Sequence, residues 1–274
     1  MNFNPVKHYN YRKKDIDMLV IHATPSADII GSFNRYEVSA HYVMDLEGVI
    51  TQCVPDHLRA WHAGASFWRQ HDGDINSNSI GIEIHSPSMG QEPYNEAQIK
   101  SLLEFCKTKI KEHNISPYMI VGHSDIAPNR KPDPGIEFPW KRFADEGIGL
   151  WYNLSDARKI GTLSTKDALS LIGYDTRTDD MTAASAYAFM RHYIPHRVYV
   201  PEHKLDVISQ VYPKDLESQR ILLNDKVLNV VARAVAFKVQ EAVLKERMQD
   251  KEKDFIFTAS PFQEIIQENK KLYI

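Results

Sequence analysis

The sequence predicts an α/β fold, a mixed central sheet flanked by helices, followed by a small all-helical C-terminal region. Three observations predict it. "DMLVIHAT" (17–24) is apolar at nearly every position up to His22, as a strand covered on both faces requires. "SIGIEIHS" (79–86) alternates strictly, with Ile80, Ile82 and Ile84 on one face and Gly81, Glu83 and His85 on the other. From residue 150 the strand-like patterns stop and helical spacing takes over.

The remaining elements follow in order. "SAHYVMDLEGVITQCV" (39–54) reads as two strands joined at "DLEG", a hairpin with glycine at the turn. A helix begins near Asn95, with the stripe Ile99, Leu102, Leu103, Cys106 and Ile110, and Asn95 and Gln98 capping its first turn. "YMIVGHSD" (118–125) is a second short apolar strand that ends on a histidine. Residues 163–195 read as two short helices, the first capped by Ser164 and stopped by Gly173, the second rich in alanine and ending before Pro195. Residues 215–253 read as one long helix whose valines at 227, 231, 235, 239 and 243 recur every four positions. That stripe is expected to pack against the preceding helices, a dimer contact being the alternative. The charged run 245–254 reads as a solvated helix end.

Composition narrows the function classes. A chain of 274 residues with 43% apolar residues can bury a proper core. Its net charge of -3 and pI near 6.5 supply no basic field, which argues against a nucleic-acid partner. Cys53 and Cys106 belong to no short-spaced pair, so both are expected to be reduced core residues. The first twenty residues lack the apolar stretch of a signal peptide, and no run is long enough to cross a bilayer. The default expectation is a cytoplasmic protein, with periplasmic or extracellular placement by a non-standard export route as the alternative. Oligomeric state has no signature in the sequence.

The chemistry concentrates at strand ends. Two apolar strands ending at His22 and His123 would deliver two imidazoles to one sheet edge if they lie side by side. A metal would explain the coincidence, since hydrolytic zinc takes three protein ligands and leaves a fourth position to water. Asp133 is the natural third ligand, because Pro132 and Pro134 restrict the chain on both sides and Gly135 releases it. Taken singly, His22 and His123 read first as ordinary strand-end imidazoles with a hydrogen-bonded ring.

The stretches "MLVIHAT", "VSAHYVMDLEGVITQCV", "RAWHAG", "NSIGIEIHS" and "VGHSDIAPNRKPDPG", in this order, resemble the zinc-dependent N-acetylmuramoyl-L-alanine amidases of the amidase-2 type, the AmpD/AmiD group. The resemblance covers roughly residues 15–145. It implies one zinc ion on His22, His123 and Asp133, with Glu83 as the catalytic carboxylate and Lys131 as the active-site lysine. It also implies the substrate, peptidoglycan or a muropeptide, cut between N-acetylmuramic acid or its 1,6-anhydro form and L-alanine. Zinc would polarise the amide carbonyl and lower the pKa of bound water to about 7. Glu83 would move the proton to the leaving amine, and Lys131 would stabilise the oxyanion. His62 and Trp61 in "AWHAG" are expected to line the substrate groove, although core packing suits Trp61 equally. His41 and His85 are expected to be structural, because a fourth protein ligand would close the site to water.

The expected organisation is a catalytic domain over 1–150 and a helical region over 151–274, within which 160–200 is similar to a small peptidoglycan-binding module. Two alternatives to a hydrolase stand beside this reading. One is a muropeptide-binding protein without activity, and the other is a purely structural metal site on an interaction scaffold.

Overall fold

The computed structural model describes residues 2–199, 205–206 and 211–255. The described strands are β1 (Asn2–Phe3), β2 (Tyr9–Tyr11), β3 (Met18–Thr24), β4 (Tyr42–Met44), β5 (Ile50–Gln52), β6 (Leu58–Ala60), β7 (Phe67–Trp68), β8 (His71–Asp72), β9 (Ser79–His85) and β10 (Ile120–Gly122). Six of them form one sheet in the order β1-β5-β4-β9-β3-β10. The β4/β5 hairpin is antiparallel and the other four pairings are parallel, so the sheet is mixed as expected. The helices are α1 (Ile29–Tyr36), α2 (Glu96–His113), α3 (His123–Ile126), α4 (Trp140–Asp145), α5 (Thr165–Ile172), α6 (Asp179–Tyr193), α7 (Leu216–Leu223) and α8 (Lys226–Phe255). None of the described helices is long and apolar enough to cross a membrane.

The core lies on the central strands. Met18, Leu19, Val20 and Ile21 of β3 and Ile80, Ile82 and Ile84 of β9 are fully buried. Burial of each aliphatic side chain is worth about 1.5–3 kcal/mol, which fixes both strands in place. Their register then sets the chemistry. His22 pairs with Glu83 across β3 and β9, while Gly122 of β10 pairs with Ile21, so the residue after Gly122 comes to lie beside His22. Cys53 and Cys106 are buried and free.

Four details differ from the sequence reading, each for a local reason. Strand β10 stops at Gly122, and His123 opens the short helix α3 instead of closing a strand. Asp125 Oδ2 accepts the Gly122 N–H at 2.8 Å, the side-chain bond that turns the chain into a helix there. Asn95 caps α2 by accepting from Gln98 N–H, but the Gln98 side chain does not reach back to complete the cap. It donates instead to the carbonyls of Asp45 and His85, tying the helix to the ends of the sheet.

The single helix expected over 215–253 is two, because the chain breaks at Asn224–Asp225 and Asp225 caps the second by accepting from Leu228 N–H at 2.8 Å. The valine stripe is buried only in its middle: Val231, Val235 and Val239 are inside, whereas Val227 is exposed. A spacing of four overshoots the helical turn by about 40° at each step, so five such valines cannot stay on one face.

The chain divides at Val239 into two compact units, and in the second the described residues are the helical run to Phe255. Charged side chains of the 245–254 run are described only to 249, and those from 250 lie outside the described residues. Within the first unit the expected caps of the C-terminal helices are present: Ser164 accepts from Asp167 N–H, and Gly173 ends α5. Helix α8 starts against the same segment, with Asn229 Nδ2 donating to Leu163 O at 3.0 Å and Arg233 to Ala157 O. Buried Asp125 joins these helices to the sheet. Its Oδ1 accepts from Tyr174 Oη at 2.6 Å and its Oδ2 from His192 Nδ1 at 2.9 Å.

Candidate metal centre

Three side chains converge where β3, α3 and the loop after it meet. His22 Nδ1 is 2.9 Å from His123 Nδ1, His123 Nδ1 is 3.1 Å from Asp133 Oδ2, and His22 Nδ1 is 3.6 Å from Asp133 Oδ2. All three residues are buried. Asp133 is held by backbone, as its carbonyl accepts from Ser124 N–H at 2.8 Å and Ala23 N–H points to its Oδ2 at 3.4 Å. The prolines around it are seconded by glycine: Gly135 has φ 92°, and a Cβ there would fall 2.4 Å from Gly90 O. Two imidazole nitrogens and one carboxylate oxygen in a buried, closely spaced triangle are the donor set of a divalent cation with N/O preference.

The electrostatics agree with that donor set. Burial lowers the pKa of His22, and it lowers that of His123 to about 3, so both rings are neutral ligands at physiological pH. Burial alone would raise Asp133, but the two adjacent imidazoles more than offset it and hold the carboxyl well below its ordinary value. Glu83 behaves oppositely. Burial, with the Asp133 charge adding and Lys131 opposing, pushes its carboxyl up to about 8. Its Oε2 stands 3.9 Å from His22 Nδ1, outside the triangle and facing the same cavity.

That cavity, about 220 Å³, is bordered by every site residue singled out in the sequence: His22, Trp61, His62, Glu83, His123, Lys131 and Asp133. Lys131 is half-buried, its backbone N–H donates to Ala127 O at 3.0 Å, and its side chain makes no hydrogen bond or ion pair with the described residues, which leaves its ammonium available to the cavity. Trp61 reaches the cavity but also donates its indole N–H to Asn10 Oδ1 at 3.1 Å. His62 borders the cavity with both ring nitrogens engaged, Nδ1 with His22 Nε2 at 2.9 Å and Nε2 with Ser79 Oγ at 3.1 Å. His41 and His85 are buried and stand outside the triangle.

Two participants escaped the sequence reading. Arg130 bonds the carbonyls of Ala63 and Ala65, pinning the loop that follows His62 against the cavity. Ser79 is the other, and its partner lies 17 residues back along the chain. Nothing in "NRKPDPG" points to the 63–65 backbone, so no local pattern could have announced either contact.

Comparison with known proteins places this arrangement. The Amidase_2 family, N-acetylmuramoyl-L-alanine amidase, matches residues 12–136. Escherichia coli N-acetylmuramoyl-L-alanine amidase AmiD is 34% identical over 213 residues, which is 66% of this chain and 75% of AmiD. Enterobacter cloacae 1,6-anhydro-N-acetylmuramyl-L-alanine amidase AmpD is 41% identical over 106 residues, 39% of this chain and 55% of AmpD. Among solved structures, the complex of E. coli AmiD with the substrate anhydro-N-acetylmuramic acid-L-Ala-D-gamma-Glu-L-Lys superposes with a TM-score of 0.61 at 30% identity, covering 81% of this chain and 89% of that one. Pseudomonas aeruginosa AmpDh3 in complex with anhydromuramic pentapeptide gives 0.60 at 29% identity, covering 76% and 95%. A cavity-facing triangle of two histidines and an aspartate, a matched family sequence and these two superpositions agree: the chain belongs to the N-acetylmuramoyl-L-alanine amidase family of the amidase-2 type.

Proposed function

We propose that the protein is a zinc hydrolase that cleaves the amide between N-acetylmuramic acid, or its 1,6-anhydro form, and L-alanine of the peptidoglycan stem peptide. The observation that carries this is the meeting of His22 Nδ1, His123 Nδ1 and Asp133 Oδ2 beside a carboxylate with a raised pKa, all on one cavity. His22, His123 and Asp133 would hold the ion. When bound, zinc supplies a Lewis acid for the amide carbonyl and makes water acidic near neutrality. Glu83 takes that proton and returns it to the leaving amine. A carboxyl poised near the working pH suits both halves of the transfer. Lys131, whose ammonium bonds none of the described residues and stands at the cavity wall, faces the negative charge that develops on the carbonyl oxygen. Trp61 and His62 line the groove for the sugar or peptide.

The same proposal assigns residues 1–150 to catalysis and the helices within 160–200 to contact with peptidoglycan. The test is digestion of purified sacculi and of anhydro-muropeptides side by side, with mass analysis of the products. Release of stem peptides with a free L-alanine amine, abolished by chelation and restored by zinc, is expected. Unchanged hydrolysis by protein stripped of metal would overturn the assignment.

A further inference from the structure

The contact between His22 and His62 has a direction, and that direction can be read from its far end. His62 Nε2 is 3.1 Å from Ser79 Oγ, and Ser79 Oγ is 2.6 Å from Ile75 O. A carbonyl only accepts, so the single hydroxyl proton of Ser79 lies on the bond to Ile75. Ser79 is then the acceptor toward His62, whose Nε2 must carry a proton. No carboxylate of the described residues bonds His62, so the ring has no counter-charge and is neutral, with a bare Nδ1. That bare nitrogen faces His22 Nε2 at 2.9 Å and takes its proton in a hydrogen bond.

We propose that His62 and Ser79 are positioning residues that fix the tautomer of His22, keeping the proton on Nε2 and a lone pair on Nδ1 toward His123 and Asp133. The need is physical. Asp133 Oδ2, 3.6 Å from His22 Nδ1, favours the opposite tautomer, in which an Nδ1 proton would sit where a metal must bind. The chain of bonds running to Ile75 opposes that pull. Strand β9 is built for it: Ser79 and Gly81 share the face that also bears Glu83, and a Cβ on Gly81 would lie 2.5 Å from His62 Cγ. The strand supplies an acceptor, room for the ring and the carboxylate at successive positions of one face. The consequence for metal affinity rests on the zinc reading above, whereas the tautomer does not.

Two measurements on the full chain test this. In the metal-free protein, two-bond ¹H–¹⁵N correlation should show His22 protonated at Nε2, and Ser79→Ala or His62→Phe should shift it toward Nδ1–H. Zinc affinity, read by competition with a chromogenic chelator, should fall about 10- to 100-fold in His62→Phe. In Ser79→Ala, which removes one oxygen and leaves the ring in place, it should fall about 3- to 10-fold. His62→Asn, whose amide oxygen stands as many bonds from Cβ as Nδ1 does, should recover much of the loss. An Nδ1–H tautomer in the unaltered protein, or equal affinity in all variants, would overturn the proposal. Failure of the unaltered protein to take up zinc would instead remove the metal reading, and the tautomer pattern alone would then decide.

Discussion

Among the described residues, two clusters bring three possible metal ligands together, and one of the two lacks a cation of its own. His22, His123 and Asp133 are buried and meet atom to atom, with no lysine or arginine of the described residues bonded among them. Asp56, Glu112 and His113 meet where the loop after β5 approaches the end of α2, and there Lys109 already bonds two of the three. Its Nζ is 2.7 Å from Asp56 Oδ2 and 2.7 Å from Glu112 Oε2, and Tyr42 Oη donates to Asp56 Oδ1 at 2.6 Å. Burial alone would lower Lys109, but these partners more than offset it and hold the ammonium above its ordinary pKa. Proximity of ligand-type side chains therefore says little until the charge already present among them is counted.

The largest effect is expected from His123→Ala or Asp133→Ala, which should abolish zinc binding by metal analysis and reduce amide cleavage to background. Next comes Glu83→Gln, which should keep the metal while turnover falls by about 10² to 10⁴. A variant that cleaves normally would remove Glu83 from the mechanism. Lys109→Met should leave zinc content and turnover intact but lower unfolding free energy by about 3–5 kcal/mol, since it strands the Asp56 carboxylate in a half-buried site.

A smaller effect concerns pH in chelator-treated protein. Glu83 has a folded pKa of about 8 against an ordinary 4.5, so the stability it confers is full below 4.5 and is lost as pH rises toward 8. His123, depressed to about 3, contributes stability above 6.5 that is lost as pH falls toward 3. Relative to the unaltered protein, Glu83→Gln should therefore gain thermal stability between pH 4.5 and 8, and melting curves across that interval check the sign. Smallest of all, Glu112→Ala should change neither zinc content nor turnover and should shift stability by no more than about 1 kcal/mol, Glu112 being half-exposed.

What the sequence made legible follows the range of the interactions. The strands of 17–24, 39–54 and 79–86 and the helix after Asn95 rest on periodicities of two or 3.6 residues, which a reader of the chain can count. Strands of two or three residues such as β1, β7 and β8 are too short to show any period. At the site, His22, His123 and Asp133 were visible because apolar runs and prolines frame them. The start of α3 was signalled, in hindsight, by an aspartate three residues after Gly122, a local cue of the same kind as the Asn95 cap. The break at Asn224–Asp225 was of that kind too. By contrast, the bonds of Asp125 to Tyr174 and His192 span 49 and 67 positions, and nothing near either end foretells the other.

Asp125 ties the two halves of the chain together at one side chain. The carboxylate sits two residues after His123 and is enclosed by groups from both halves of the chain, so a protein cut at residue 150 would keep the anion and lose the phenol and imidazole that answer it. The tail is thereby a structural tenant of the reaction centre: trimming it would unsettle the turn that aims an imidazole, even in an assay where nothing insoluble has to be gripped.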